Sequence, residues 1–251
     1  MTPLEQHLRK WMEKAAVDFN MISPGDRVLM AVSGGRDSLA MSRLLRGPFV
    51  RMTKDFHVEY AHIDIGTPGH DSEPIREWFS RSGLDIHIVK TDIFAESTGQ
   101  KKRPCFLCSR KRRKALLETA QSLGCRKIIL AHHRDDAVES FLLNLFYNRE
   151  VAAMLPVQEL FKGEYHFIRP LYYIRDHTVK KFADEQNIAS LEAGCPHEDD
   201  SKREFVRSML KQLETQRPTA SDDLFAAQFR VKPDYLPKAP GDVIPDTPPR
   251  I

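Results

Sequence analysis

The sequence predicts an α/β domain: a mostly parallel sheet of five strands with helices on both faces, ending in a proline-rich tail. Two observations carry this. Short apolar, β-branched runs at residues 28–32, 56–65, 84–89, 127–131 and 166–168 are separated by longer stretches of helical period. The first run passes directly into Ser33-Gly34-Gly35-Arg36-Asp37-Ser38 and then into a helical pattern from Leu39, the strand–turn–helix order of a parallel sheet.

Taken in order, the chain starts with Leu4, Leu8, Trp11, Met12, Ala15 and Phe19, an apolar stripe of near-helical spacing that sets residues 1–24 apart as an N-terminal helix. The five strands and their helices follow within 25–216, with helical patterns at 141–147, 176–187 and 201–216. From 217 the character changes. Seven of the 16 prolines fall in the last 34 residues, so 217–251 reads as an extended or disordered tail, with Leu224, Phe225, Phe229 and Tyr235 available for burial.

Several classes are excluded. Charged residues make up 29% of 251, no apolar run approaches ~18 residues, and no apolar stretch follows a basic start, so neither a membrane span nor a secretory signal is expected. The expected location is cytoplasmic. Four cysteines are too few for a disulfide framework, and Cys105-Phe-Leu-Cys108 in a reducing compartment points to metal or redox chemistry. The net charge of +3 is uneven: residues 101–114 hold eight cations (Lys101, Lys102, Arg103, Arg110, Lys111, Arg112, Arg113, Lys114) and no acid, leaving −5 for the remainder. Such a patch suits a phosphate backbone, with a solvated helix face as the plain alternative.

Three groups of residues carry chemistry. At the first strand-to-helix turn, Gly34 and Gly35 permit close backbone approach, and the N–H groups at the helix start, with the Ser33 and Ser38 hydroxyls, make a cup for pyrophosphate. It lacks the GK[ST] of a Walker A loop and the GxGxxG of a dinucleotide fold. Asp37 in an anion site is assigned to Mg²⁺ or to holding the loop. The fourth strand ends in His132-His133-Arg134-Asp135-Asp136, two carboxylates opening a helix at the same sheet edge, where α/β folds bind ligands. The second strand ends in His62-Ile63-Asp64, a lesser candidate. Finally Cys105 and Cys108, in a loop leading to a basic helix, could share one site with Cys195; Cys125 reads as a core residue. Three thiolates suit a 4Fe-4S cluster with one open iron, or, with His197, a closed structural zinc site.

Ser33 to Ser38 resembles the SGGxDS signature of the PP-loop ATP pyrophosphatases, and His132 to Ser140 resembles that family's second motif, HHxDDxxET. The stretches at residues 18–22, 25–28, 104–110, 133–136 and 169–171 resemble, more narrowly, the tRNA 2-thiocytidine synthetases over roughly residues 4–196. Arg36 stands where that group commonly has Lys, and Cys195 stands alone before Pro196 rather than in a second CxxC-like stretch.

The resemblance implies an adenine nucleotide alpha hydrolase-like fold and an ATP-dependent tRNA sulfurtransferase. It would adenylate the C2 oxygen of an anticodon-loop cytidine and replace that oxygen with sulfur. It implies ATP on Ser33, Gly34, Gly35, Arg36, Asp37, Ser38, His62, Ile63, His133, Asp135 and Asp136. It further implies Mg²⁺, a 4Fe-4S cluster on Cys105, Cys108 and Cys195, and catalytic roles for these cysteines with Asp37 and Asp64. The RNA would lie on Lys101, Lys102, Arg103, Arg110, Arg112 and Arg113. Expected partners are tRNA, a sulfur donor such as a cysteine desulfurase or free sulfide, and a second copy in a homodimer. Two rivals remain: a pyrophosphatase activating a small molecule or sulfur-carrier protein, and a zinc-stabilised RNA-binding module without turnover.

Overall fold

A computed structural model describes residues 1–46, 56–98, 104–192 and 201–236. Its sheet has the order β3-β2-β1-β4-β6-β5, formed by β1 (Arg27–Ala31), β2 (His57–Asp64), β3 (His87–Lys90), β4 (Lys127–Ile129), β5 (Val157–Leu160) and β6 (Tyr165–Ile168). All neighbours are parallel except β5, which runs antiparallel to β6. The sheet therefore has six strands, not five. Val157–Leu160 reads Val-Gln-Glu-Leu, an edge strand with too little apolar character to stand out, and pairing with β6 decides it.

The strands alternate as a sheet covered on both faces requires. Val28 and Met30 enter one core with Leu8 and Met12 of α1 (Pro3–Asp18), Leu39 of α2 (Arg36–Leu44), Phe79 of α3 (Glu73–Arg81) and Phe182 of α7 (Asp176–Glu185). Leu29 points the other way, into a core with Ile128, Phe167 and Ala120 of α5 (Pro104–Ser122). Cys125 is 1% exposed in that second core, as its place before a strand suggested. The N-terminal helix begins where Thr2 accepts a hydrogen bond from Glu5 N (3.2 Å) and Pro3 occupies the first turn.

β1 is central. The chain leaves it for β2 and β3 on one side, then returns through α4 (Ile93–Thr98) and α5 to place β4 on the other. The direction reverses between β1 and β4, and at the C-terminal ends of these strands such a sheet leaves a crevice for ligand. α6 (Arg134–Leu143) starts from β4 and continues as a π-helical turn, Asn144–Asn148.

Two further expectations change. Cys105 and Cys108 do not lie in a loop; they belong to the first two turns of α5, because Pro104 starts a helix with its fixed φ. The region after 216 is not extended throughout. α8 (Ser201–Gln216) is followed by α9 (Ala220–Ala227) and a 3₁₀ turn at Pro233–Tyr235. Phe225 is buried and Leu224 partly so against Val138 and Tyr172, and Phe229 stacks on Phe19 at 6.3 Å, whereas Tyr235 stays exposed. Burial of these rings stabilises a helix that the proline count disguised. The prolines beyond 236 lie outside the described residues.

Candidate active site

The glycine turn forms a closed cup. Gly34 has φ +93°, and a Cβ there would stand 2.9 Å from Ile75 Cδ1. Ser33 N and the Ser33 hydroxyl both donate to Ser38 Oγ (3.2 Å each), Ser38 Oγ donates to Gly35 O (2.8 Å), and Gly35 N donates to Ser33 Oγ (3.0 Å). These bonds hold the turn while the first-turn N–H groups of α2, at Arg36 and Asp37, have no helix carbonyl within reach. Gly35 is the N-cap and provides no side chain to satisfy them. An anion at this helix start meets both the N–H groups and the positive end of the helix dipole.

Beside the cup, Asp37, His133 and Asp176 bring ligand atoms within 4.8 Å of one another. His133 Nε2 is 3.5 Å from Asp176 and 4.0 Å from Asp37. The Arg36 guanidinium bridges the two carboxylates, donating to Asp37 at 3.0 Å and also to Asp176. Two carboxylates at a phosphate cup offer the hard oxygen donors that Mg²⁺ takes together with phosphate oxygens; an imidazole is a poorer Mg²⁺ ligand and fits better as a hydrogen-bond donor.

The acids that open α6 are engaged within the protein. Asp136 accepts from His133 N (2.9 Å) while Asp136 N donates to His133 Nδ1 (3.4 Å), a reciprocal capping box. Asp135 accepts from Asp176 N (2.8 Å) and so joins the start of α7 to the start of α6. Asp64 accepts from Gly66 N (3.0 Å) and Ser72 Oγ (2.8 Å); burial pulls its pKa up, but these bonds outweigh it and keep the carboxyl below its ordinary range. His62 Nδ1 donates to Val32 O (2.8 Å), and burial lowers its pKa, so the ring is neutral with Nε2 an acceptor. That Nε2 is buried and has no hydrogen-bond partner among the described residues.

His62 and Ile63 share a narrow pocket with Ser33, His70, Arg112 and Glu192. Arg112 connects the cup to the cysteines. On α5, positions 105, 108 and 112 follow the i, i+3, i+7 spacing of one helix face, so Cys105 and Cys108 stand on the face whose Arg112 reaches the cup's pocket. Cys105 is exposed and Cys108 half-buried beside Ile63 and Leu116. Arg110 is exposed and Arg113 lies one turn on. Cys195, His197, Lys101, Lys102 and Arg103 lie outside the described residues.

The sequence reading gave no site role to Asp176, Arg169 or Glu192, and it named His132 only as part of the strand-end motif. Asp176 belongs to the cup, as an acid at a helix start on the ligand edge could have suggested. Arg169 is 5% exposed and donates to Leu155 O (2.6 Å) and to His132 Nδ1 (3.2 Å); burial and the nearby Arg113 push it down to about 10. His132 is pushed down to about 4 by burial and by the Arg169 charge, against the pull of Asp136. Glu192 rests over the cup: its Oε2 would be 2.7 Å from a Cβ on Gly35, and Leu191 N donates to Gly34 O at 2.8 Å. No local pattern announces a contact between residues this far apart in sequence.

A parallel sheet with an uncapped glycine turn at its switch point, and no nucleotide fingerprint of another kind, defines the class of PP-loop nucleotide-binding proteins. The family described as PP-loop domain matches residues 2–214. The chain belongs to this family, in the group of its relatives named tRNA-cytidine(32) 2-sulfurtransferase. It is 35% identical over 237 residues to the protein of that name from Sorangium cellulosum, covering 93% of this chain and 84% of the relative. It is 32% identical over 243 residues to the one from Erwinia tasmaniensis, covering 95% and 79%. Among solved structures it is similar in fold to the U34-tRNA thiolase NcsA from Methanococcus maripaludis with its [4Fe-4S] cluster, at TM-score 0.74 and 20% identity, covering 90% of this chain and 78% of that one.

Proposed function

We propose that the chain is an ATP-dependent tRNA sulfurtransferase, acting on C2 of a cytidine in the anticodon loop. The observation that carries this reading is that Arg112, on the cysteine-bearing face of α5, lines the same pocket as Ser33 of the phosphate cup. Activation and sulfur delivery then need one bound nucleotide and one bound base, not two separate sites.

ATP binds with its β and γ phosphates against the α2 N-terminus. The C2 oxygen of the cytidine attacks the α-phosphorus, the bond to the β-phosphate oxygen breaks, and pyrophosphate leaves. The oxygen is now part of AMP, a far better leaving group than hydroxide. A sulfur nucleophile adds to C2 and AMP departs with the oxygen, so one C–O bond is exchanged for one C–S bond without net redox change when sulfur arrives as sulfide. The N–H groups at Arg36 and Asp37 stabilise the charge building on the departing pyrophosphate. Asp37 and Asp176 would hold Mg²⁺, with Arg36 released from them onto phosphate, and Nε2 of His62 accepts a hydrogen bond from the nucleotide. Cys105 and Cys108, with Cys195 by its resemblance, would hold a 4Fe-4S cluster, whose chemistry would be that of a sulfide carrier near C2. Thiolates at one helix turn are a donor set that suits such a cluster. A cysteine desulfurase or free sulfide supplies the sulfur. No helix among the described residues is long and apolar enough to cross a membrane, and a cytoplasmic homodimer remains the expected form.

The test is anaerobic. With tRNA, Mg·ATP and sulfide, the protein should release pyrophosphate and form 2-thiocytidine, read by nucleoside mass spectrometry. Cys105→Ala should lose the brown chromophore and at least about 100-fold of thiolation, the scale of removing a metal ligand, while still binding ATP. A colourless protein that releases pyrophosphate without tRNA would favour the small-molecule reading instead.

A further inference from the structure

One groove is unused by this chemistry. It runs along the flank of α5, about 680 Å³, between that helix and the β5–β6 hairpin. α5 lies over β1, β2 and β4, and the hairpin extends beyond it. Phe106, Arg110, Arg113 and Lys114 line the helix wall with Glu118, and Phe161 and Tyr165 line the hairpin wall with Glu164, so cations outnumber acids three to two. Two exposed rings stand out. Phe106 is 61% and Phe161 66% solvent-exposed, with Phe161 edge-on to Tyr165 at 6.2 Å.

Phe161 is also held in an unusual backbone. It has φ +51°, Lys162 follows at +59° and Gly163 at +88°, so two bulky residues in succession occupy the left-handed region that favours glycine. The tight turn of the β5–β6 hairpin, closed by Gly163 N donating to Leu160 O, favours a positive φ at both central positions, and it leaves the Phe161 ring largely in solvent. A ring displayed in this way offers a flat face for stacking.

Charge says which partner. Lys114 pairs with Glu118 at 3.5 Å, whereas no acid is ion-paired with Arg110 or Arg113 among the described residues. Arg113 is near enough to depress the Arg169 pKa at the active edge, and Phe106 adjoins Cys105 in sequence. The groove therefore opens beside the thiols, one helix face away. Rings alternating with arginines match unpaired nucleic acid, whose bases stack and whose phosphates pair.

Building on the sulfurtransferase reading, we propose that this groove receives unpaired nucleotides flanking the modified one, with bases on Phe106 and Phe161 and phosphates on Arg110 and Arg113. Single-stranded segments of the loop thus dock along α5, and the target base turns in at the helix's cysteine end.

The experiment uses cluster-loaded protein and two fluorescent RNAs, an anticodon-type hairpin with an unpaired loop and a blunt duplex, with binding read by anisotropy. Phe106→Ala and Phe161→Ala should each weaken hairpin binding about tenfold, the usual scale for one lost stacking ring, and leave duplex and ATP binding at wild-type values. Arg110→Ala should weaken both RNAs and reduce the salt slope by about one. Phe161→Gly removes the ring and relieves the backbone, so it should lose hairpin binding without a fall in melting temperature, which separates recognition from folding. Hairpin affinity unchanged in both phenylalanine variants, or equal losses on the duplex, overturns the groove. If wild-type protein binds and thiolates RNA while the variants match it, only the groove fails. If wild-type protein binds neither RNA, the sulfurtransferase reading falls and the groove with it.

Discussion

Two helices begin at the same sheet edge and treat their first N–H groups in opposite ways. α6 consumes its own. Arg134 N donates to Ile174 O, Asp136 N donates to His133 Nδ1, and the Asp136 carboxylate returns to His133 N. α2 opens with glycine and has no side-chain cap. Ser, Asp or Asn at this position would bond the first N–H groups through a side chain, whereas glycine costs the helix only a few tenths of a kcal/mol and leaves those groups open. That omission at the switch point of the sheet marks the ligand site, and the well-capped neighbour marks the scaffold that holds His133 against it.

Making the two ends alike is the strongest way to break this contrast. Gly35→Asp would give α2 the cap it lacks and place a carboxylate where pyrophosphate should sit. ATP affinity should fall at least about 100-fold, since juxtaposed like charges cost several kcal/mol, while the fold persists with the flexible Glu192 side chain displaced from the new carboxylate. Calorimetric titration with ATP decides it; undiminished binding would show that the α2 N-terminus is not the anion cup.

A smaller effect sharpens the scaffold's side. His132 titrates near 6.5 when unfolded and is pushed down to about 4 when folded. The unfolded chain thus takes up a proton that the folded protein refuses, and stability falls as pH drops from about 6.5 to about 4, by up to about 3 kcal/mol. His132→Asn should flatten that part of a urea-denaturation pH profile. An unchanged slope would mean that the imidazole is less enclosed by Arg169 than its geometry indicates.

The smallest effect tests whether the α6 cap is scaffold alone. Asp136→Ala should cost about 1 kcal/mol of stability and change ATP affinity by less than about threefold. A loss of ATP binding larger than the loss of stability would give Asp136 a direct part in holding the nucleotide.

Much of this was legible before any coordinates. Strands rich in Val, Ile and Leu announced a parallel sheet because both of its faces are buried, and the paired glycines between β1 and a helix start announced a cup because that turn combines a positive φ at Gly34 with bare backbone at the N-terminus of α2. β5 was not legible, since an edge strand of Val-Gln-Glu-Leu is made by its partner and not by its own pattern. α9 was obscured by the prolines after it, although Phe225 was named as something to bury. The two thiols were visible as a pair, but a CxxC spacing is compatible with loop and helix alike, and Pro104 decided for helix.

By itself, then, the sequence determined which groups could do chemistry: an anion cup, soft ligands, hard carboxylates and a basic stretch, each set by residue type and local spacing. Only the tertiary structure decided which of them meet. Asp176 joins Asp37, Glu192 covers Gly35, Arg112 turns toward Ser33, and Phe161 faces α5, in each case across dozens of residues or more. Such meetings depend on strand order and helix docking, which arise from burying both faces of one sheet, and no local pattern in the chain encodes them.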